Sequence, residues 1–332
     1  MTFNDNARLD TSQVESAGGS QRGGSGGGFG GGSRGGGGQL PGGMKVGGGI
    51  GGLIILVLVL VFGGGQLLGG DGSDGSAGGL GGQSSRQLQP GQVAAAGQVQ
   101  SSAVSRCRTG ADANNDDVCL VVATVNSVQD YWAKTLPKYQ MKYQPVKTVI
   151  YQGQTSSGCG TANAQVGPFY CPLDRKVYID ASFFADLQSR FGADGGQLAK
   201  EYVVAHEYGH HIQNLLGVLN RAQQDPEGPN SGGVRIELMA DCLAGTWVKH
   251  ATETTDASGT PLLKPITDDD ISSALSAAAA VGDDRIQKAA TGRVTPESWT
   301  HGSAQARQSW FLQGYRSGDI NQCNTLGVGS VS

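Results

Sequence analysis

Apolar and polar positions divide the chain into an unpatterned N-terminal part, one apolar run within it, and a patterned remainder. Residues 1–45 and 66–105 show neither the alternation of a strand nor the period of a helix. Between them, residues 53–62 read LIILVLVLVF. Pattern returns after residue 105. CLVVATVNSVQDYWAKTL opens in strand fashion and turns helical. KTVIYQG and KVYIDASFF carry the β-branched and aromatic residues of strands, separated by the turn-rich stretch SSGCGTANAQVGPFYCPLD. KVYIDASFF is expected to be an edge strand along which an extended peptide lies, by fold analogy. After Asp180 the period becomes helical: Phe183, Phe184, Leu187 and Phe191 share one face, and longer helices are expected over 198–219, 234–250, 268–288 and 303–315.

Composition explains the silent part. Glycine supplies 56 of 332 residues, and 34 of these fall within residues 1–100. There is no G-X-Y period, so collagen is excluded, and such runs bury too little apolar surface to offset chain entropy. The expected architecture is α+β, a domain of a small sheet plus helices over residues 106–332. Residues 1–45 are expected as a disordered tail and 66–105 as a flexible linker. Lys and Arg number 24 against 28 Asp and Glu, with no basic block longer than a dipeptide, which argues against a nucleic-acid partner.

The apolar run, extended by uncharged glycine flanks to residues 46–65, reaches the ~20 residues a bilayer crossing needs. It lies too far from the N-terminus for a usual cleaved signal peptide. The expectation is a signal anchor in a bacterial cell membrane. Arg34 and Lys45 before it, against Asp71 and Asp74 after it, put the N-terminus in the cytoplasm and the folded domain outside. All six cysteines, Cys107, Cys119, Cys159, Cys171, Cys242 and Cys323, follow the run and read as disulfides. Six allow fifteen pairings. Spacing suggests Cys107–Cys119 and Cys159–Cys171, leaving Cys242 with Cys323, although Cys242 also suits a buried thiol on a helix.

Chemistry concentrates in EYVVAHEYGHHIQNLLGVL. HEYGH is an HExxH. On a helix His206 and His210 lie one turn apart on one face, so both imidazoles can reach one Zn²⁺, and Glu207 sits beside the metal without binding it. A chain of this composition contains the motif by chance about once in several hundred cases. The adjacent His211 points about 100° away and is expected to pack or cap. A catalytic zinc needs a third protein ligand. In GVRIELMADCLAGTWVK, Glu237 and Asp241 are one helical turn apart in an otherwise apolar stretch. Glu237 is expected to complete the metal site. Asp241 is expected to accept a hydrogen bond from the far nitrogen of a ligand histidine.

HEYGHH followed by ELMADCLAG resembles the bacterial membrane-anchored putative neutral zinc metallopeptidase family, which pairs an HExxHH helix with an ELxADCxAG helix. The resemblance continues in GPFYCPLDRKVYID and THGSAQARQSWFLQGYRSGD and covers roughly residues 107–326. It implies one zinc on His206, His210 and Glu237, Glu207 as general base, and a gluzincin-like site on a zincin-type fold. His301 matches the family's HGS segment and is expected to hydrogen-bond the developing oxyanion, although N-cap and core roles stay open for it.

The function expected is a membrane-tethered zinc endopeptidase acting on extracytoplasmic polypeptides, in which zinc activates a water, Glu207 takes its proton and passes it to the leaving amine. A non-catalytic zinc-containing envelope scaffold and a zinc amidase acting on cell-wall peptide are the alternatives.

Overall fold

The computed structural model describes residues 1–17, 101–163 and 166–332. The strands are β1 (Val14–Ser16), β2 (Lys147–Tyr151), β3 (Gln154–Ser157), β4 (Gly160–Asn163), β5 (Phe169–Cys171) and β6 (Lys176–Asp180). The helices are α1 (Ser101–Ser105), α2 (Gly110–Ala113), α3 (Asp117–Thr135), α4 (Phe183–Ser189), α5 (Gln197–Leu215), α6 (Arg221–Gln224), α7 (Gly232–His250), α8 (Asp268–Ala280), α9 (Asp283–Thr291) and α10 (Ala304–Ser317). The class is α+β with a small sheet, as expected.

The sheet runs β1-β2-β6-β5, with β1, β2 and β6 parallel and β5 antiparallel to β6. Alternation sorts its two faces. Ile150, Val177, Ile179 and Tyr170 join the main core with the helices, while Val149, Tyr151, Tyr178 and Phe169 pack with Ala162 of the β3–β4 hairpin on the other face. KVYIDASFF supplies an interior strand, and β1 and β5 are the edges. CLVVATVNSVQDYWAKTL differs too. The stretch spans residues 119–136 and lies within α3 up to Thr135, because Asp116 caps the helix by accepting from the Val118 and Cys119 N–H groups, and residues 119–129 are all buried. Burial on every side decides the conformation of this β-branched run.

The helix expected over 268–288 is two. Thr267 and Asp270 form the capping box that opens α8, and the backbone turns extended at Gly282 before α9 starts. The cysteines form Cys107–Cys119, Cys159–Cys171 and Cys242–Cys323, the last tying α7 to the turn beyond α10.

Residues 1–17 belong to this fold rather than to a tail. Phe3 and Ala7 are fully buried. Asn126 on α3 clamps the backbone of Asp10 from both sides, accepting from its N–H at 2.8 Å and donating to its carbonyl at 2.9 Å. Val14, Glu15 and Ser16 then pair with Thr148, Val149 and Ile150.

That pairing corrects the membrane expectation. A single crossing at 46–65 would leave residues 1–17 and 106–332 on opposite faces of a bilayer, yet β1 and β2 are hydrogen-bonded neighbours. Residues 46–65 themselves lie outside the described residues, and among the described residues no helix is long and apolar enough to cross a membrane. The longest, α3, α5 and α7, each carry charged side chains along their length. The single-pass anchor, the inside-to-outside orientation, the cell-membrane location and the bilayer as partner do not stand. The remainder of the expected tail and most of the linker, 18–45 and 66–100, also lie outside the described residues, and residues 101–105 are helical.

Gly110 offers a test of the docked segment. A Cβ there would stand 2.0 Å from the Asn4 carbonyl oxygen. Alanine ordinarily favours a helix by up to about 1 kcal/mol over glycine. Here Gly110→Ala is expected to destabilise the full chain by about 1–3 kcal/mol in urea unfolding, as overpacking does, and to open residues 1–17 to limited proteolysis. Unchanged or raised stability would contradict the packing described.

Candidate metal centre

Helix α5 starts after Gly196 and is buried at Leu198, Ala199 and from Glu201 to Gln213, enclosed by the sheet, α3, α7 and α8. Its histidines can meet α7 because Gly209 lies between them. A Cβ at Gly209 would sit 2.9 Å from the Ala240 Cα, so the two helices touch backbone to backbone. This contact brings Glu237 of α7 to both imidazoles. Its Oε2 is 3.1 Å from His206 Nε2 and its Oε1 3.5 Å from His210 Nε2. Ligand atoms of the three residues all lie within 4.8 Å of one another, and all three residues are buried. Ligands held tetrahedrally at about 2.0–2.1 Å from zinc stand about 3.3 Å apart, so the donor set and its spacing fit zinc.

Each imidazole is oriented from behind. His206 donates through Nδ1 to Asp241 at 2.8 Å, and His210 donates through Nδ1 to the Gln213 side-chain oxygen at 2.8 Å. Both Nε2 lone pairs are thereby turned toward Glu237. Gln213 also donates to the carbonyl of Ile236 at 2.6 Å, fastening α5 to α7 one residue from Glu237. Asp241 is fully buried and receives Arg307 from α10 through Nε and Nη2, both at 2.9 Å, together with the Tyr202 hydroxyl.

The charges follow from these contacts. Burial works to raise Asp241, but Arg307 and His206 overcome it and hold the carboxyl below its ordinary range. Burial likewise works against ionisation of Glu237, yet His210 and His301 keep its carboxyl well below the usual range. Glu207 moves the other way: burial raises it, against the pull of His210 and His206. One of its oxygens has no hydrogen-bond partner.

Glu207, Glu237, His206, His210 and His301 line one cavity of about 370 Å³. His301 arrives on the loop before α10, and that loop wraps Asp283. One Asp283 oxygen accepts the backbone N–H groups of Thr300, His301 and Gly302 at 2.8, 2.7 and 2.9 Å. His301 Nδ1 stands 3.5 Å from the other oxygen. Burial opposes charge on His301, and the Glu237 and Asp283 carboxylates outweigh it and raise its pKa.

The structure thus brings together every metal-site residue that spacing singled out, with Asp241 behind them and His301 across the cavity. His211 faces away, donating through Nε2 to the Gln144 carbonyl at 2.7 Å beside Tyr170, and burial lowers it to about 4. Cys107, Asp116 and Cys119 also cluster, but their sulfurs are joined in a disulfide. Sequence reasoning missed Tyr202, Gln213, Asp283 and Arg307. Arg307 lay within the resembling stretch THGSAQARQSWFLQGYRSGD, and Gln213 falls one helical turn beyond His210. Those were the available signals.

A helix-borne histidine pair, a distant glutamate and a second glutamate beside them have the donor set and spacing of an HExxH-type metal site. The chain belongs to the putative neutral zinc metallopeptidase family, with a match spanning residues 11–326. Zinc is implied by that membership. The chain is 54% identical over 229 residues to an uncharacterized protein of Mycobacterium tuberculosis (strain ATCC 25618 / H37Rv), covering 69% of this chain and 77% of the relative. A Mycobacterium bovis relative shows the same identity and coverage. The uncharacterized protein YpfJ of Escherichia coli (strain K12) is 40% identical over 287 residues, covering 84% of this chain and 88% of the relative. No solved structure matches the chain.

Gln213 should matter to the metal while touching none. Gln213→Ala is expected to lower zinc affinity by about 10–100-fold, the usual effect of removing such a support, with helical content retained. Competition against a zinc chelator, beside circular dichroism, measures it, and wild-type affinity would refute the role.

Proposed function

We propose that the protein is a zinc-dependent endopeptidase hydrolysing peptide bonds in polypeptides, with Glu207 as general base. The observation that carries this reading is the buried Glu207 carboxylate with an unpartnered oxygen, lining the same cavity as the three-residue ligand cluster. Structural zinc sites close the coordination sphere with four protein ligands, whereas catalytic sites use three and keep a position open. Among the described residues the cluster contains three, beside a cavity. That favours catalysis over a purely structural metal.

His206, His210 and Glu237 would hold the metal. Zinc, when bound, supplies a polarised water and a Lewis acid for the substrate carbonyl. Glu207 then accepts the water proton and delivers it to the departing amine, a transfer that its raised pKa assists. His301, its backbone N–H held by Asp283 and its Nδ1 2.9 Å from the Thr300 hydroxyl, carries a raised pKa and donates toward the negative charge developing on the carbonyl oxygen. Arg307 is the lining guanidinium, and it is committed to Asp241 through two nitrogens. Among the described lining residues no free guanidinium is left for a terminal carboxylate, which favours internal bonds over carboxypeptidase action.

Three variants separate the roles. Glu207→Gln should retain one zinc per chain and lose about 10²–10⁴-fold in casein hydrolysis. His301→Ala should retain zinc and lose about 10²–10³-fold in kcat. Glu237→Ala should lose the metal itself. Elemental analysis and chelator-reversible hydrolysis on the same samples decide among them, and full activity in Glu207→Gln would overturn the assignment.

A further inference from the structure

The cavity beside the metal ligands has an apolar wall that the chemistry above does not use. Val203 lies one helical turn before Glu207 on the same face of α5, so this wall begins next to the general base. Phe183 at the start of α4 and Phe191 just beyond its end add two rings 6.2 Å apart. Val281, which closes α8, and Ile286 of α9 complete it. Phe183 and Val203 belong to the main core cluster, and the partly buried Phe191 and Val281 pack against it, so the core itself reaches the cavity here. Apolar side chains normally close on one another at the density of a crystal. Four separate elements hold these five around open space instead.

We propose that this wall is the specificity pocket of the peptidase, taking a large aliphatic or aromatic side chain of the residue flanking the bond to be cut. The inference rests on the peptidase reading above and deepens it. None of the five side chains carries a polar atom, so a charged substrate side chain lying among them would lose its hydration without gaining a partner from this wall; Glu227, Asp283, Gln287, Ser298 and Thr300 line the rest of the cavity. A leucine or phenylalanine side chain would leave water on entering and meet apolar neighbours on several sides. Val203 ties the pocket to the chemistry, because its position on α5 is fixed relative to Glu207 by the helix itself.

Binding of short peptide hydroxamates to the zinc-loaded full chain, followed by calorimetry, tests this apart from turnover. The metal-binding group is kept constant and the adjoining side chain is that of Phe, Leu, Ala, Asp or Lys. Phe and Leu are expected to bind at least about tenfold tighter than Ala, with Asp and Lys weakest. Val203→Phe and, separately, Ile286→Phe fill the pocket from two elements. Each is expected to abolish the preference for Phe over Ala while retaining zinc, so a folding failure in one leaves the other to decide. A flat ranking, or tightest binding of Asp or Lys, overturns the pocket and leaves the peptidase reading standing. The apolar ranking without cleavage of matching peptides supports the pocket and overturns the peptidase reading. No binding of any hydroxamate by zinc-loaded protein overturns both.

Discussion

The site depends on keeping one carboxylate charged where no water reaches it. Asp241 is fully buried, and an isolated charge there would carry a desolvation penalty of several kcal/mol. Three elements meet to prevent that. Helix α7 brings the carboxylate, α10 brings the Arg307 guanidinium, and α5 brings the Tyr202 hydroxyl and the His206 N–H. With those bonds made, His206 has no rotational choice left. Its Nε2 must face Glu237. The orientation of the His206 imidazole is thus set by an ion pair behind it, and that ion pair joins three helices where they cross.

The same crossing explains the small residues around it. Backbone contact between Gly209 and Ala240 lets Glu237 reach both imidazoles, and any larger side chain at position 209 would part the helices. Support from the sheet is equally specific. Tyr208, inside the HExxH, stands 2.9 Å from the Thr148 hydroxyl of β2, and β2 is the strand against which residues 14–16 pair. The N-terminal segment and the helix of the histidine pair therefore both contact one strand. Parallel neighbours cannot be joined by a tight hairpin, and among the described residues helices α1, α2 and α3 lie between β1 and β2 in the chain.

What could be read from the residues was what local geometry determines. The i, i+4 spacing of His206 and His210, and of Glu237 and Asp241, follows from helix pitch alone. The short cysteine spacings followed from loop closure. Other features depend on partners far away in sequence. Arg307 meets Asp241 across 66 positions, and nothing beside either residue announces the other. Asp283 reads as one more acid in a helical pattern until the chain breaks at Gly282 and folds residues 300–302 around it. The strand at 14–16 was hidden because glycine dominates the hundred residues in which it sits. CLVVAT looked like the start of a strand because β-branched residues favour pleated, half-buried surfaces, and only its complete burial within the helical layer reverses that.

Helix α5 also carries its own internal comparison. Glu201 and Glu207 lie on one helix, both buried, both raised by burial, both with unpartnered oxygens. An unsatisfied buried carboxyl cannot by itself mark a reactive group, since Glu201 has two such oxygens and lies outside the cavity. Burial pushes it to about 8, so it is largely protonated at neutral pH and its burial is tolerable as a neutral acid. Glu207 differs in its surroundings. His210 and His206 pull its pKa down while burial pulls it up, and the opposition leaves a group able to carry or release a proton. It also opens onto space where a water and a peptide can meet it. The cavity and the two imidazoles distinguish Glu207 from Glu201, and the missing hydrogen bond gains its meaning only from them.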